Sequence, residues 1–386
     1  MGPKINLLDK VNRSALLKKA SALANGSPCN FVDDPIQRSD QIILKICFPH
    51  EGKTWAAKIP SDQEWPFYEI MVQPLQFLEK WHPGIPAPRV HGYVDVGEEG
   101  NGEDKVGVAY ILLDWIDGRC MQPWSLSDPP VEARHHVLNQ IADLMLEMLG
   151  SSAAGKGIRF YGAPAGTPEN TPVSTTIWLT ESIDRPIRRN LRQKKTPMVI
   201  DNLIQRSMVS QYVMPEHENS YWAAIHPDLH SDNIVVDDEW NIIGLIDWNL
   251  MFAQPLQKGA VFPKLIEHIP GAAPPDLPAE LQYLDFTHDK DYLVATLAEK
   301  EGKQNKESGI PVANLVKNST QRAFFEMSHN FPDVHTEFAR RHCQRTKENI
   351  DAAKKELEIF LSRNPEFSHE DESVIDVERE LNALAS

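Results

Sequence analysis

The sequence predicts an α+β fold, with a small N-terminal part built on an antiparallel sheet and a larger, mainly helical C-terminal part. Apolar runs at residues 41–48 and 54–59 flank a turn of sequence HEGK, the pattern of an antiparallel hairpin. Two further strand-like segments follow at residues 90–96 and 106–115. Beyond them, apolar side chains recur at helical spacing along residues 131–149, which indicates a core helix. Strands that precede a run of helices favour the α+β class.

Other helices are predicted on both sides of the strands. Residues 12–25 form a polar helical segment before the first hairpin. Residues 64–81 carry apolar side chains at helical spacing, and Pro74 should kink that helix because proline lacks the backbone N–H. Residues 312–361 have mixed charges and a helical pattern, which extends the helical part toward the C-terminus.

The change of pattern after residue 117 predicts two domains. Residues 1–117 form the strand-rich N-terminal domain, and residues 118–386 form the helical C-terminal domain. Within the second domain, residues 151–176 are small, polar and rich in Pro and Gly, which predicts a loop insertion. Residues 366–386 form an acidic tail that we expect to be frayed.

Composition restricts the classes of partner. The 386 residues include 39 Lys+Arg and 55 Asp+Glu, a net charge of −16, whereas proteins that bind nucleic-acid backbones cluster basic residues. No apolar run reaches the roughly 18 residues of a membrane span, and the N-terminus lacks the apolar segment of a secretory signal. The four cysteines are widely spaced, which suits a reducing compartment. We therefore expect a cytoplasmic protein without nucleic-acid or membrane partners.

Residues with catalytic potential concentrate in residues 226–248, HPDLHSDNIVVDDEWNIIGLIDW. Two short strand-like segments joined by polar turn residues predict a hairpin in this stretch. Asp228 and Asn233 precede the first strand and Asp247 follows the second, so the hairpin should gather three oxygen-bearing side chains at its open end. Hard oxygen donors suit Mg²⁺, which completes its coordination with water and phosphate oxygens.

The spacing of these side chains matches a kinase-type catalytic loop. His226 and Asp228 form a His-x-Asp pair, an asparagine follows five residues after the aspartate, and another aspartate follows the hairpin. Phosphoryl transfer needs a carboxylate to orient the acceptor hydroxyl and metal ions to neutralise charge between the β- and γ-phosphates. The alternative interpretation is a turn-rich hairpin whose Asp and Asn side chains only cap its strands.

A lysine in the N-terminal domain could complete such a site. Lys58 lies inside the apolar segment WAAKIP, where a surface lysine is less expected. In a kinase-like lobe this lysine grips the α- and β-phosphates and is held by a helix glutamate. Glu69, near the start of the next helix, is the natural partner, and Glu64 is the second choice. The alternative is a lysine that protects an exposed sheet edge from aggregation.

Four segments carry a resemblance to a known family: WAAKIP, YEIMVQPLQFL followed by GIPAPRVHGYV, ILLDWIDG, and HPDLHSDNIVVD…GLIDW. Over residues 25–255 the chain resembles the aminoglycoside phosphotransferase and choline kinase-like family, in its fungal-style branch. The resemblance implies a two-lobed protein-kinase-like fold, with residues 1–117 as the nucleotide-binding lobe and residues 118–386 as the catalytic and substrate lobe. It also implies transfer of the γ-phosphate of ATP or GTP to a hydroxyl of a small-molecule acceptor.

The resemblance further implies roles for individual residues. Asp228 stands at the catalytic base position, and His226 would brace its loop. Asn233 and Asp247 stand at the positions of the Mg²⁺ ligands, while the strand lysine and its helix glutamate keep the nucleotide-binding roles given above. The hinge that offers backbone groups to the purine would consist of Leu113, Asp114, Trp115 and Ile116.

Three features depart from the family pattern. Pro227 and Asp232 stand where the family commonly has glycine. The segment that should cover the nucleotide phosphates, residues 34–41, contains no glycine, although backbone amides approach phosphates closely only where side chains are absent. The alternative function is therefore a pseudokinase that binds a metabolite or a partner without catalysis.

A zinc hydrolase is a third interpretation of the same stretch. His226 and His230 are four residues apart, as in the helical HExxH motif. That motif needs a glutamate directly after the first histidine, and Pro227 and Asp228 follow here, so the sequence disfavours zinc.

Overall fold

The computed structural model describes residues 7–38, 40–63, 66–95, 105–121, 124–125, 129–160, 171–267, 286–304 and 311–385. The chain forms two compact units. The strand-rich unit consists of Met1–Pro123, Lys156–Arg159 and His226–Phe252, and the helical unit consists of Trp124–Gly155, Phe160–Ile225 and Ala253–Ser386.

The strand-rich unit contains short helices beside two antiparallel sheets. Its described elements, labelled in chain order, are α1 (Leu7–Lys10), α2 (Arg13–Leu23), β1 (Asn30–Gln37), β2 (Gln41–Phe48), β3 (Lys53–Pro60), a π-helical turn (Tyr68–Val72), α3 (Gln73–Trp81), β4 (Val90–Val94), β5 (Tyr110–Asp114), β6 (Arg119–Cys120), a 3₁₀ turn (Ser231–Asn233), β8 (Ile234–Val236) and β9 (Ile242–Leu245).

The larger sheet has the strand order β1-β2-β3-β5-β4. The predicted first hairpin is confirmed, because β2 pairs with β3 from Gln41 opposite Pro60 to Phe48 opposite Lys53. The predicted strand at 106–115 is shorter in the structure and begins at Tyr110. One face of the sheet packs on α2, where Leu16 and Ala20 are fully buried in the same core as the sheet.

Pro74 lies where the helical segment changes from a π-helical turn to α3, and the kink predicted there stays a prediction. The helical segment starts with the π-helical turn, in which the Gln73 N–H donates to the Tyr68 carbonyl, and Pro74 then lies in the first turn of α3. Proline is tolerated there because the Ile70 carbonyl, which residue 74 would pair with in a regular helix, accepts the Leu250 N–H instead. Residues 64 and 65 of the predicted helix lie outside the described part of the chain.

Residues 226–252 belong to the strand-rich unit, whereas the sequence prediction assigned them to the C-terminal lobe. Backbone pairing explains the difference. β8 lies between β6 and β9 in the smaller sheet, and the Leu245 N–H donates to the Pro86 carbonyl at 2.8 Å. The lobe boundary after residue 117 stays a prediction.

The helical unit contains most of the helices and one short pair of strands. Its described elements are α4 (Val131–Leu149), α5 (Thr175–Arg192), α6 (Thr196–Ser207), α7 (Val209–Tyr212), β7 (Trp222–Ala224), β10 (Ala253–Pro255), α8 (Leu256–Gly259), α9 (Thr287–Gln304), α10 (Val312–Lys317), α11 (Thr320–Ser328), α12 (Pro332–His342), α13 (Lys347–Arg363) and α14 (Glu372–Ala385). The antiparallel N-terminal sheet and the helical C-terminal part confirm the α+β prediction.

Two predictions for the C-terminal part have different outcomes. The middle of the predicted loop insertion 151–176, residues 161–170, lies outside the described residues, and α5 begins just before its end. Within the predicted tail 366–386, residues 372–385 form α14, which buries Val374, Val377 and Leu381, whose spacing forms one apolar face. Within the described ranges, no helix has the length and apolar character needed to cross a membrane.

Candidate active site

The hairpin of β8 and β9 brings the predicted catalytic residues to one end. Ile234 lies opposite Leu245 in the ladder, and the Ile246 N–H donates to the Asn233 carbonyl at 2.9 Å. Asn233, just before β8, and Asp247, just after β9, are therefore held side by side by the backbone. The antiparallel geometry predicted from the sequence thus places both residues at the open end of the hairpin.

His226 connects the candidate catalytic loop to this hairpin. Its side chain is buried, its Nε2 lies 2.9 Å from the Ile246 carbonyl, and its Nδ1 accepts the Asp228 N–H at 3.1 Å. These two partners require a proton on Nε2 and none on Nδ1, so His226 is the neutral imidazole. Burial lowers the pKa of His226 from 6.5 to about 4. The loop closes without an N–H from position 227, which is why Pro227 is accommodated.

This pKa makes stability depend on pH. The unfolded chain takes up a proton on His226 below about pH 6.5, whereas the folded chain does so only below about pH 4. The unfolded state binds more protons in that window, so His226 alone should lower the free energy of unfolding by about 3 kcal/mol between pH 6.5 and 4 and contribute no change above it. Urea unfolding titrations between pH 6.5 and 4 measure this contribution. The variant His226→Gln should show a shallower pH dependence, and an unchanged slope would contradict the assignment.

Asn233 is oriented by the backbone of Asp228. Its Nδ2 donates to the Asp228 carbonyl at 2.9 Å, which fixes the amide orientation and leaves Oδ1 as the atom that can bind a metal. The Asp228 carboxylate is 43 % exposed, so a substrate hydroxyl can reach it. Asp247 adopts a left-handed backbone with φ of 65°, a conformation that a non-glycine residue keeps only when its surroundings hold it.

Lys58 forms an ion pair with Asp247 and not with the predicted partner, Glu69. Lys58 is buried on β3, and its Nζ lies 3.4 Å from Asp247 Oδ1. β3 is an interior strand, flanked by β2 and β5, so the edge-protection interpretation of this lysine does not apply. Glu69 lies in the π-helical turn, and among the described residues it forms no ion pair with Lys58. The second choice, Glu64, lies outside the described residues.

The segment after Asp247 is tied to the helix that carries Glu69. The Leu250 N–H donates to the Ile70 carbonyl at 3.2 Å. In a regular helix the N–H of residue 74 would donate to the Ile70 carbonyl. Pro74 has no N–H, so this carbonyl can accept the Leu250 N–H. The helix and the segment that follows Asp247 are thus connected through the backbone, a link that the sequence pattern did not reveal.

The predicted hinge uses much of its hydrogen-bonding capacity within the protein. Leu113 and Asp114 end β5, the Asp114 N–H donates to the Arg89 carbonyl, and the Trp115 N–H donates to the Thr54 carbonyl, both at 3.1 Å. Among the described residues, the Ile116 N–H donates to no backbone carbonyl. Ile116 is therefore the one residue of the predicted hinge whose N–H is open to an acceptor.

The Asp114 carboxylate forms hydrogen bonds that link β5 to the neighbouring β4 segment. It lies 2.7 Å from His91 Nε2 and accepts the Arg89 N–H at 3.2 Å, and the His91 ring stacks on Trp55 with centroids 3.9 Å apart. The hydrogen bond from His91 is the main cause that lowers the pKa of Asp114. This side chain therefore fixes the end of β5.

A glycine of β9 packs against the hinge. A Cβ on Gly244 would lie 2.4 Å from Ile116 Cδ1, so any side chain there must displace the isoleucine. We expect Gly244→Ala to cost about 1–3 kcal/mol of stability, as overpacking does. Thermal melting tests this, and the double variant with Ile116→Ala should recover most of the loss. A Gly244→Ala variant as stable as the wild type would contradict the contact.

The turn between β1 and β2 occupies the place of the predicted phosphate-covering segment. The Arg38 N–H donates to the Gln41 carbonyl at 2.9 Å, which closes a tight hairpin without glycine. Burial raises the pKa of the Cys120 thiol, the charge of Asp232 raises it further, and the charge of Arg38 lowers it.

Comparison with known proteins decides the family. Residues 48–257, more than half of the chain, match the model of the phosphotransferase enzyme family. The chain belongs to the phosphotransferase enzyme family. The resemblance inferred from the motifs is thereby confirmed, and the fungal-style branch stays a prediction. Comparison with curated protein sequences finds no match to this family member.

Solved structures of three other proteins are similar to this chain. A Ralstonia eutropha JMP134 crystal structure provisionally assigned as an aminoglycoside phosphotransferase is 13 % identical, with a TM-score of 0.54 and coverage of 90 % of this chain and 95 % of its own. A Plasmodium vivax ethanolamine kinase is 12 % identical (TM-score 0.47, coverage 90 % and 89 %). Macrolide 2'-phosphotransferase type I is 14 % identical (TM-score 0.46, coverage 89 % and 97 %). Together with the observed sheet and helices, the first of these confirms the protein-kinase-like fold predicted for this family member.

Proposed function

We propose that this member of the phosphotransferase enzyme family is a kinase that transfers the γ-phosphate of ATP or GTP to a hydroxyl of a small-molecule acceptor. The observation that carries the proposal is the arrangement around Asp247. Its carboxylate lies 3.4 Å from Lys58 Nζ, and the backbone holds Asn233 beside it. A cation for phosphate and a pair of oxygen donors for a metal thus stand next to an exposed carboxylate, that of Asp228.

The donor set fits Mg²⁺. Asn233 Oδ1 and the Asp247 carboxylate are hard oxygen ligands, and Mg²⁺ prefers one or two such groups together with water and phosphate oxygens. Bound there, the ion would neutralise charge that develops on the β- and γ-phosphates. Lys58 would then share its charge between Asp247 and the nucleotide phosphates.

The residues of the loop supply the proton transfer. In the proposed reaction the acceptor oxygen forms a bond to the γ-phosphorus, the bond between that phosphorus and the β-phosphate oxygen breaks, and the hydroxyl proton passes to Asp228. The products are a phosphate monoester and ADP or GDP. Among the described residues, the Ile116 N–H remains for the purine.

A direct assay tests the proposal. Purified protein with Mg²⁺ and ATP or GTP is incubated with amino alcohols, aminoglycosides and other hydroxylated metabolites, and both nucleoside diphosphate and phosphorylated product are measured. We expect product from at least one acceptor and a rise of the melting temperature with the magnesium nucleotide. No transfer to any acceptor, together with no nucleotide-dependent stabilisation, would contradict the proposal.

A second candidate is a pseudokinase that binds a metabolite or a protein without catalysis. The glycine-free turn between β1 and β2 favours it, because side chains there keep backbone amides away from phosphates. This candidate predicts nucleotide-dependent stabilisation without product.

We further propose that the protein acts in the cytoplasm without nucleic-acid or membrane partners, since its four cysteines are all free and its net charge is −16.

A further inference from the structure

We propose that His230 is a positioning residue that orients the Asp228 carboxylate for proton transfer, an inference that rests on the proposed kinase function. His230 lies in the catalytic loop, at the N-cap of the 3₁₀ turn Ser231–Asn233. The imidazole makes contacts on both of its ring nitrogens, one to the backbone of the turn and one toward the carboxylate.

The backbone contact determines where the ring carries its proton. His230 Nδ1 accepts the Asp232 N–H at 3.2 Å, so Nδ1 carries no proton. In the neutral imidazole the proton then resides on Nε2, which acts as a donor.

The acceptor for this proton is the Asp228 carboxylate. His230 Nε2 lies 3.4 Å from Asp228 Oδ2 and 3.3 Å from Asn233 Nδ2. Asn233 Nδ2 gives one of its two protons to the Asp228 carbonyl, and an amide nitrogen only donates, so it cannot accept from the ring. Catalytic hydrogen bonds are often long before substrate binds, and a distance of 3.4 Å leaves room for this bond to tighten.

The consequence is a carboxylate with two distinct oxygens. His230 holds Oδ2, and Oδ1 can then face the acceptor hydroxyl. The backbone supports the same geometry, because the His230 N–H donates to the Asp228 carbonyl and the Asn233 N–H donates to the His230 carbonyl, both at 3.0 Å. The imidazole therefore joins the proton-accepting side chain to the turn that carries a metal ligand.

Two substitutions separate this role from a structural role. His230→Asn keeps a cap for the Asp232 N–H, since asparagine is among the best N-cap residues, but its short side chain cannot reach Asp228. His230→Gln offers an amide N–H at about the reach of Nε2. The His230 side chain is 35 % exposed, so neither change empties a closed core.

We expect His230→Asn to lower kcat roughly 10- to 100-fold, the effect of misplacing a reacting group, with an unchanged KM for the nucleotide and an unchanged melting temperature. His230→Gln should regain most of the lost kcat. Stabilisation by Mg·ATP should be the same in both variants and in the wild type.

Every other outcome contradicts the role of His230, the proposed function or both. Wild-type turnover with a fully active His230→Asn variant overturns the role of His230 and leaves the proposed function intact. Equal losses in both variants, accompanied by weaker Mg·ATP stabilisation, identify a structural role for the loop and also overturn the inference. A wild type that transfers no phosphate overturns the proposed function and this inference with it.

Discussion

Asp228→Asn should abolish phosphoryl transfer while the protein still binds Mg·ATP. Removing a general base lowers the rate by about 10²- to 10⁴-fold, because the hydroxyl proton then has no basic acceptor in the transition state. The fold should persist, since the hydrogen bonds from Asn233 Nδ2 and from the His230 N–H go to the Asp228 backbone carbonyl and not to its side chain. The measurement is product formation at saturating nucleotide, together with the melting temperature with and without Mg·ATP.

Asp238→Asn is the matched control for this variant. Asp238 lies in the turn of the same hairpin and is exposed, so the substitution changes the charge by the same amount outside the site. It should leave kcat unchanged. If the wild type binds Mg·ATP but turns over no faster than Asp228→Asn with every acceptor, the pseudokinase is the better account.

The sequence predicted the backbone around the candidate site well where that backbone depends on local order along the chain. The β8–β9 hairpin and the residues next to it follow from a pattern of short apolar runs and polar turns, which the backbone must satisfy locally. The same holds for β2, β3 and the position of Lys58. The hairpin prediction therefore placed Asn233 and Asp247 together before any tertiary contact was known.

The partner of Lys58 could not be predicted in this way. A helical pattern gave no sign of the π-helical turn around Glu69, nor of the Leu250 N–H that binds the Ile70 carbonyl. Both result from contacts between segments far apart in sequence. The hydrogen bonds of the predicted hinge could not be predicted for the same reason. The Trp115 N–H donates to the Thr54 carbonyl, which is distant in sequence. His230 was visible in the sequence, but its role depends on which atoms face its two ring nitrogens.

Asp247→Asn should remove both nucleotide-dependent stabilisation and turnover, unlike Asp228→Asn. Asparagine tolerates the left-handed backbone of this position, so the loop can keep its shape. The substitution removes the anionic metal ligand, and a metal supplies several kcal/mol of transition-state stabilisation, so we expect a loss of about 10²- to 10³-fold in kcat/KM. The measurements are kcat/KM and the shift of the melting temperature with Mg·ATP.

A second variant separates metal binding from the ion pair with Lys58. In Asp247→Asn the buried Lys58 loses its partner, and an unpaired buried charge lowers stability. The double variant Lys58→Met with Asp247→Asn removes that charge, so it should regain stability over the single Asp247→Asn variant. It should still show no Mg·ATP stabilisation, because both the metal ligand and the phosphate-binding cation are gone. Nucleotide-dependent stabilisation of wild-type size in the double variant would show that nucleotide binds elsewhere, and the proposed roles of Lys58 and Asp247 would both be wrong.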